Sequence, residues 1–302
     1  MSDGVALLTM NHPRWTSASI LAALLAASCA DPAATSSGNG HATGADPAAS
    51  NSSPTPSPEP FRAFVPPTRA EGEVVVLPVV FPDGTTAELV YPPEMDVAGL
   101  GVRPYWAACG RDLGFYYHDP YGTLYEGEPV QSWTRPDGQT VSVWNAVDKE
   151  QGVDGVPIVY LIFHFGEWTV RLFDYGGSAA MSDDERRACA MGLSGSTTED
   201  GWIIMSGSQG TRVGGDEPEL EFGGLGQKEP FVLFFPGPCE PESDASEDLP
   251  TIDGVPVSRA HGFASWCHPG EMMRIHVYFS GEPTFVEHLV RELEVRDVHL
   301  AS

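Results

Sequence analysis

Side chains able to hold a metal or move a proton gather toward the C-terminus of this chain, at His261, His268, His276, His288 and His299. With Glu287, Glu292 or a free Cys267 they supply the imidazole, carboxylate and thiolate donors that a transition metal takes. Two features oppose that reading. In "MMRIHVYF" (272–279) His276 falls on the same strand face as Arg274, whose charge disfavours a cation, and Cys267 has a competing use in a disulfide. One adjacent acid–base pair, His118 and Asp119, lies in the aromatic stretch "GFYYHDPYGTLYEGEP" (114–129). There Tyr116, Tyr117, Tyr121 and Tyr125, followed by Trp133, offer a ligand surface. Such rings stack on a sugar or anchor a partner protein at low entropic cost, although aromatic residues in hairpins also pack on one another. The acidic runs "GGDEPELE" (214–221) and "EPESDASEDLP" (240–250) lack the spaced oxygen ligands of an EF-hand loop and read as solvated loops. The chain contains no G-x-S-x-G elbow, S-x-x-K, H-E-x-x-H or phosphate-cradling glycine loop. These observations assign no catalytic residue, no metal site and no cofactor.

The elements that would position these groups lie behind a leader. "LLAASCADPAATSSGNG" (24–40) joins an apolar run, a cysteine and a polar low-complexity tail. The uncharged stretch from Trp15 to Ala30 is shorter and richer in Ser and Thr than the roughly 18 apolar residues of a membrane-spanning helix. Its apolar heart and small-residue end match a secretory signal. Leu25-Ala26-Ala27-Ser28-Cys29 resembles the lipobox of bacterial lipoproteins, with Ala26 standing where leucine is usual. The resemblance implies cleavage after residue 28, lipid attachment at Cys29 and residence outside the cytoplasm, anchored to the bacterial membrane. Translation from Met1 and from Met10 are both compatible with it, the latter giving the shorter leader. Residues 30–60 are almost all Ala, Ser, Thr, Gly, Pro and Asn. They bury too little apolar area to repay their ordering and read as a tether of about 30 residues with a reach of about 30 Å.

Charge narrows the partners. Forty-two acidic against 16 basic residues give a net charge of −26, and Lys149 and Lys228 are the two lysines. Nucleic acid and charge-driven contact with an anionic surface are therefore excluded as expected partners. Of five cysteines, lipid on Cys29 leaves Cys109, Cys189, Cys239 and Cys267. An even set in an oxidising compartment predicts two disulfides, and no C-x-x-C spacing suggests zinc instead. Three pairings are open, including a Cys109–Cys239 bridge.

Landmarks then recur in one order. "VDGVPI" (153–158) is answered by "IDGVPV" (252–257), "FHFGE" (163–167) by "CHPGE" (267–271), and "WTVRLFDY" (168–175) by "MMRIHVYF" (272–279). "AGLG" (98–101) with Cys109 likewise matches "GGLG" (223–226) with Cys239. Each hairpin runs into a capping-box signal, Ser182-x-x-Glu185 or Thr284-x-x-Glu287. The pattern predicts an α+β protein of two tandem small units of mainly antiparallel sheet, each with a hairpin followed by one helix. Equivalence of the units would favour Cys109–Cys189 and Cys239–Cys267. The expected organisation is a signal peptide (1–28), a disordered linker (29–69), a first unit (70–210) with an aromatic insertion near 111–144, and a second unit (211–302). The expected role is that of a lipid-anchored envelope protein acting by non-catalytic binding or as an adaptor, with an envelope protein or glycan as partner. An extracellular, metal-assisted enzyme using the clustered histidines is the alternative.

Overall fold

Alternating apolar residues bounded by turn formers produce strands along most of the described chain. The computed structural model describes residues 63–117, 128–145, 158–174, 180–207, 217–223, 230–239, 251–260, 262–268, 272–279 and 284–301. The run "VVVLPVV" forms β2 (Val74–Val80), which pairs on either side with β1 (Arg69–Glu71) and β3 (Thr86–Tyr91). Asp83 shapes the β2–β3 connection by accepting from the backbone N–H of Thr85 at 2.8 Å. Packing starts upstream of these strands, because Phe64 is buried against Tyr117, Trp168 and Trp202.

The remaining strands are β4 (Val102–Ala108), β5 (Arg111–Tyr117), β6 (Gln131–Thr134), β7 (Thr140–Asn145), β8 (Val159–Phe165), β9 (Trp168–Asp174), β10 (Leu193–Thr197), β11 (Ile203–Gly207), β12 (Glu219–Phe222), β13 (Phe231–Pro236), β14 (Thr251–Ile252), β15 (Val255–Pro256), β16 (Ser258–Ala260), β17 (Phe263–Cys267), β18 (Met273–Tyr278) and β19 (Glu294–His299). Among the described residues two α-helices interrupt them, α1 (Asp183–Gly192) and α2 (Thr284–Glu292). Eleven strands form one antiparallel sheet in the order β16-β17-β18-β13-β12-β4-β5-β9-β8-β7-β6. A second, four-stranded sheet has the order β1-β2-β3-β19.

One apolar cluster takes buried side chains from both sheets and both helices, from Phe64 through Leu77, Leu89, Phe115, Trp168, Ala190, Phe234, Ile275 and Leu289 to Val295. The large sheet turns one face to this core. Val102, Leu113, Phe115, Val170, Leu172, Leu220, Phe222, Val232, Phe234, Ile275 and Val277 alternate onto it.

The expected α+β fold of two tandem hairpin–helix units is not what forms. The protein is mostly β, and its largest element is a single sheet that runs through the expected boundary at 210–211 where β12 pairs with β4. The last strand, β19, does not close a C-terminal unit either; it pairs with β3 near the start of the fold. Some of the local features that suggested repetition are present among the described residues, while 153–157, 224–226 and the turn at 269–271 lie outside them. Hairpin β8–β9 turns through Gly166, whose φ of 58° suits the first position of a tight hairpin turn. The Asp253-Gly254 turn of β14–β15 has positive φ at both residues, 49° and 85°. Residues 111–144 are not a separate insertion in the described part, since β5, β6 and β7 are members of the main sheet.

Candidate functional site

The aromatic residues singled out from sequence divide. Tyr116 is buried within β5, and Arg171 lies over its ring at 4.4 Å. Tyr117 points to the other face, half-buried against Phe64 at 5.1 Å and Trp168 at 5.3 Å. Trp133 is half-buried in β6 against the core. Tyr121 and Tyr125, with His118 and Asp119, lie outside the described residues, as do His261 and Cys29. The described histidines do not converge. His268 sits against β19, where its Nε2 is 3.2 Å from the N–H of Val295; His276 is on the sheet; His288 and His299 are exposed. Among the described residues, no group of three or more His, Cys, Asp or Glu side chains comes together to hold a metal ion. Cys267 is bridged to Cys239 and Cys189 to Cys109, with Cα–Cα distances of 5.7 and 6.1 Å.

A different set of groups does converge. The face of the large sheet turned away from the core carries charged and aromatic side chains at alternate positions of its central strands. Across the β4–β12 pairing, Arg103 stands directly opposite Glu221 and donates to both of its carboxylate oxygens at 2.9 Å. Glu221 is 3% exposed. In the next register position Glu219 faces Tyr105, which faces Gly114, which faces Arg171. Gly114 leaves room here, because a Cβ would lie 3.0 Å from the rings of both Phe173 and Tyr116. The Arg103 guanidinium lies 4.3 Å from the Tyr105 ring centroid.

On the other side of β12, Leu233 faces His276, which faces Ser265. The His276 ring lies 4.7 Å from Phe235 and 5.2 Å from Phe263. Arg274 pairs with Glu217 and sits 4.9 Å from the Phe235 ring. Phe231, Tyr278 and Phe263 continue the face as one ring group, with Phe231 stacked on Tyr278 at 4.5 Å and Phe263 tilted against it at 5.0 Å.

Burial makes this band electrostatically unusual. Desolvation, and after it the nearby Glu221 charge, pushes the Glu219 carboxyl up to about 7. Desolvation also raises Glu221, against the pull of Arg103. The His276 imidazole is lowered to about 4, first by burial and then by Arg274. Its Nε2 and the Nε of Arg274 are buried without a hydrogen-bond partner among the described residues, and such groups each cost about 1–3 kcal/mol. Perturbed titratable groups beside flat apolar rings are a frequent mark of a binding site.

Glu219 and Glu221 belong to the acidic run read from sequence as a solvated loop, but Glu219–Phe222 is a strand with both faces in use. A usable signal exists in the pattern itself: "ELEF" and "MRIHVY" place polar titratable residues at alternate positions, and "WTVRLFD" and "VRPYWAA" each set an arginine within a largely apolar strand. Comparison with protein-family models, with curated proteins and with solved structures found no match. Site geometry therefore carries the functional argument.

Proposed function

We propose that this is an extracytoplasmic binding protein held at the bacterial membrane by lipid on Cys29. Two disulfides belong to an oxidising, extracytoplasmic environment. The observation that carries the anchor is the cysteine pairing. Cys109, Cys189, Cys239 and Cys267 are consumed by each other, so Cys29 is left as the single cysteine of five without an intramolecular partner. An exported chain with one leftover cysteine at the end of an apolar, small-residue leader has an evident use for it in acylation. No described helix is long and apolar enough to cross a membrane. The binding role is supported by the ionic and aromatic band of the large sheet, which is buried at Glu221 and Arg171 and partly exposed at Arg274 and Glu217.

Membrane fractionation with radiolabelled palmitate, on the full-length protein and its Cys29→Ala variant in the same cells, tests the anchor. The wild type is expected in the membrane fraction carrying label; the variant is expected to be unlabelled and released. A variant that stays membrane-bound would overturn this reading.

A further inference from the structure

One arginine on the outer face of the large sheet stands between two carboxyl groups. Arg274 of β18 reaches across β13, with its guanidinium 4.9 Å from the Phe235 ring, and pairs with Glu217 on the chain entering β12. Glu219 follows two residues later, and no hydrogen bond or ion pair joins its side chain to a described residue. Continuing the β12–β13 register from Leu220 and Phe234 sets Glu219 beside Phe235, and Phe235 faces Arg274. Both glutamates therefore lie within the sweep of one side chain. The Nε of Arg274 is buried without a hydrogen-bond partner among the described residues, so the guanidinium has a donor to spare. We propose that Arg274 is a pH-responsive toggle, which holds Glu217 while Glu219 is protonated and transfers to Glu219 when that carboxyl ionises. The toggle requires neither the lipid anchor nor a ligand on the sheet.

The depth at which each charge sits favours the exchange. Arg274 and Glu217 keep 34% and 41% of their side chains exposed, so solvent screens their pair and water replaces the arginine at Glu217 with little loss. Glu219 is half-buried where Glu217 is exposed, and a carboxylate short of water gains more from a guanidinium. Arg103 is the other cation acting on Glu219, but it is committed elsewhere. It donates to both carboxylate oxygens of Glu221 at 2.9 Å, and Glu221 is 3% exposed. Moving Arg103 would strand a buried charge, so Arg274 is the one that can transfer. The surrounding groups set where the switch lies. Burial comes first, then the like charges of Glu221 beside it and Asp112 on β5; against Arg103 and Arg274 these push Glu219 up to about 7. Across the strands Tyr105 faces Glu219 from β4, and β13 offers the uncharged Phe235. On β18 the Tyr278 phenol is raised by burial and the His276 imidazole is lowered to about 4, so both are neutral on either side of the transfer.

Urea unfolding of the full-length protein tests the toggle with four chains: wild type, Glu217→Gln, Glu219→Gln and the two together. Each is measured at about pH 5.5, where an ordinary glutamate is ionised, and at about pH 8.5. With Glu219 protonated the Glu217 pair is in place, so at the lower pH Glu217→Gln should reduce the folding equilibrium constant about threefold, as an exposed pair does. At the higher pH Arg274 has left Glu217, and the same substitution should change nothing. In the Glu219→Gln background the arginine has nowhere to go, so Glu217→Gln should cost about threefold at both values. An equal effect of Glu217→Gln at the two pH values in the otherwise wild-type chain overturns the toggle. So does a pH dependence that persists when residue 219 is glutamine. If Glu219→Gln does not fold, the loss of the Glu217 effect is followed across pH in the wild-type background. Its midpoint should fall near 7, and a midpoint near 4, where His276 titrates, overturns the assignment to Glu219.

Discussion

Glu219 and His276 share one sheet face and respond to burial in opposite directions, because one is charged when deprotonated and the other when protonated. Glu219 is raised from 4.5 to about 7 in the folded chain, so folded protein holds a proton that the unfolded chain has released. Its contribution to stability is therefore present at low pH and is lost as pH rises from 4.5 to about 7. His276 is lowered from 6.5 to about 4, so the stability tied to its neutral ring is present above 6.5 and lost as pH falls toward about 4. Each effect amounts to at most about 3 kcal/mol. The two nearly cancel in the wild type over the shared window and become visible only one at a time. Urea unfolding across this range should show Glu219→Gln gaining on the wild type as pH rises, and His276→Gln gaining as pH falls. Curves parallel to the wild type would mean that neither group titrates differently on folding.

At the level of elements, α1 is held by a node that no local pattern announces. Asp174, at the end of β9, is 0% exposed and accepts from Arg186 Nε at 3.0 Å, Arg186 Nη2 at 2.8 Å, Arg111 Nε at 3.2 Å and the Met181 N–H at 3.1 Å. Asp174→Asn removes the charge facing two arginines and should cost about 3–5 kcal/mol. Ser182→Ala, which opens only the capping box of the same helix, should cost about 1 kcal/mol. Equal losses in chemical denaturation would show that the node does not hold the helix. The contrast also marks what could be read from sequence. The cap at Ser182, the turns at Gly166 and Asp253-Gly254 and the alternation of β18 are local, so residue types decide them. The choice of β4 as partner for β12, and of β3 for β19, is made by packing between distant segments and leaves no periodic trace. Tyr116 was misleading for a related reason: β5 is buried on both faces over much of its length, and alternation then no longer distinguishes surface from core.

For the whole molecule, the continuous sheet and the single apolar cluster imply that the two halves stand or fall together. Leu220 and Phe222 of β12 share a core with Val102 of β4 and Val295 of β19, so no plane separates an N-terminal from a C-terminal unit. Two tandem units would instead melt separately, the C-terminal one depending on Cys239–Cys267 alone. In the chain-entropy model, that bridge, closing 28 residues, stabilises the protein by about 3.6 kcal/mol, and Cys109–Cys189, closing 80, by about 4.5 kcal/mol. Scanning calorimetry of the full-length protein should therefore give one transition, with calorimetric and van't Hoff enthalpies in agreement. Replacing Cys239 and Cys267 together by alanine should lower that one transition by about 7–14 °C without dividing it. A second, lower peak appearing in this variant, with the first left in place, would show that the C-terminal strands unfold on their own and that the shared core does not couple them.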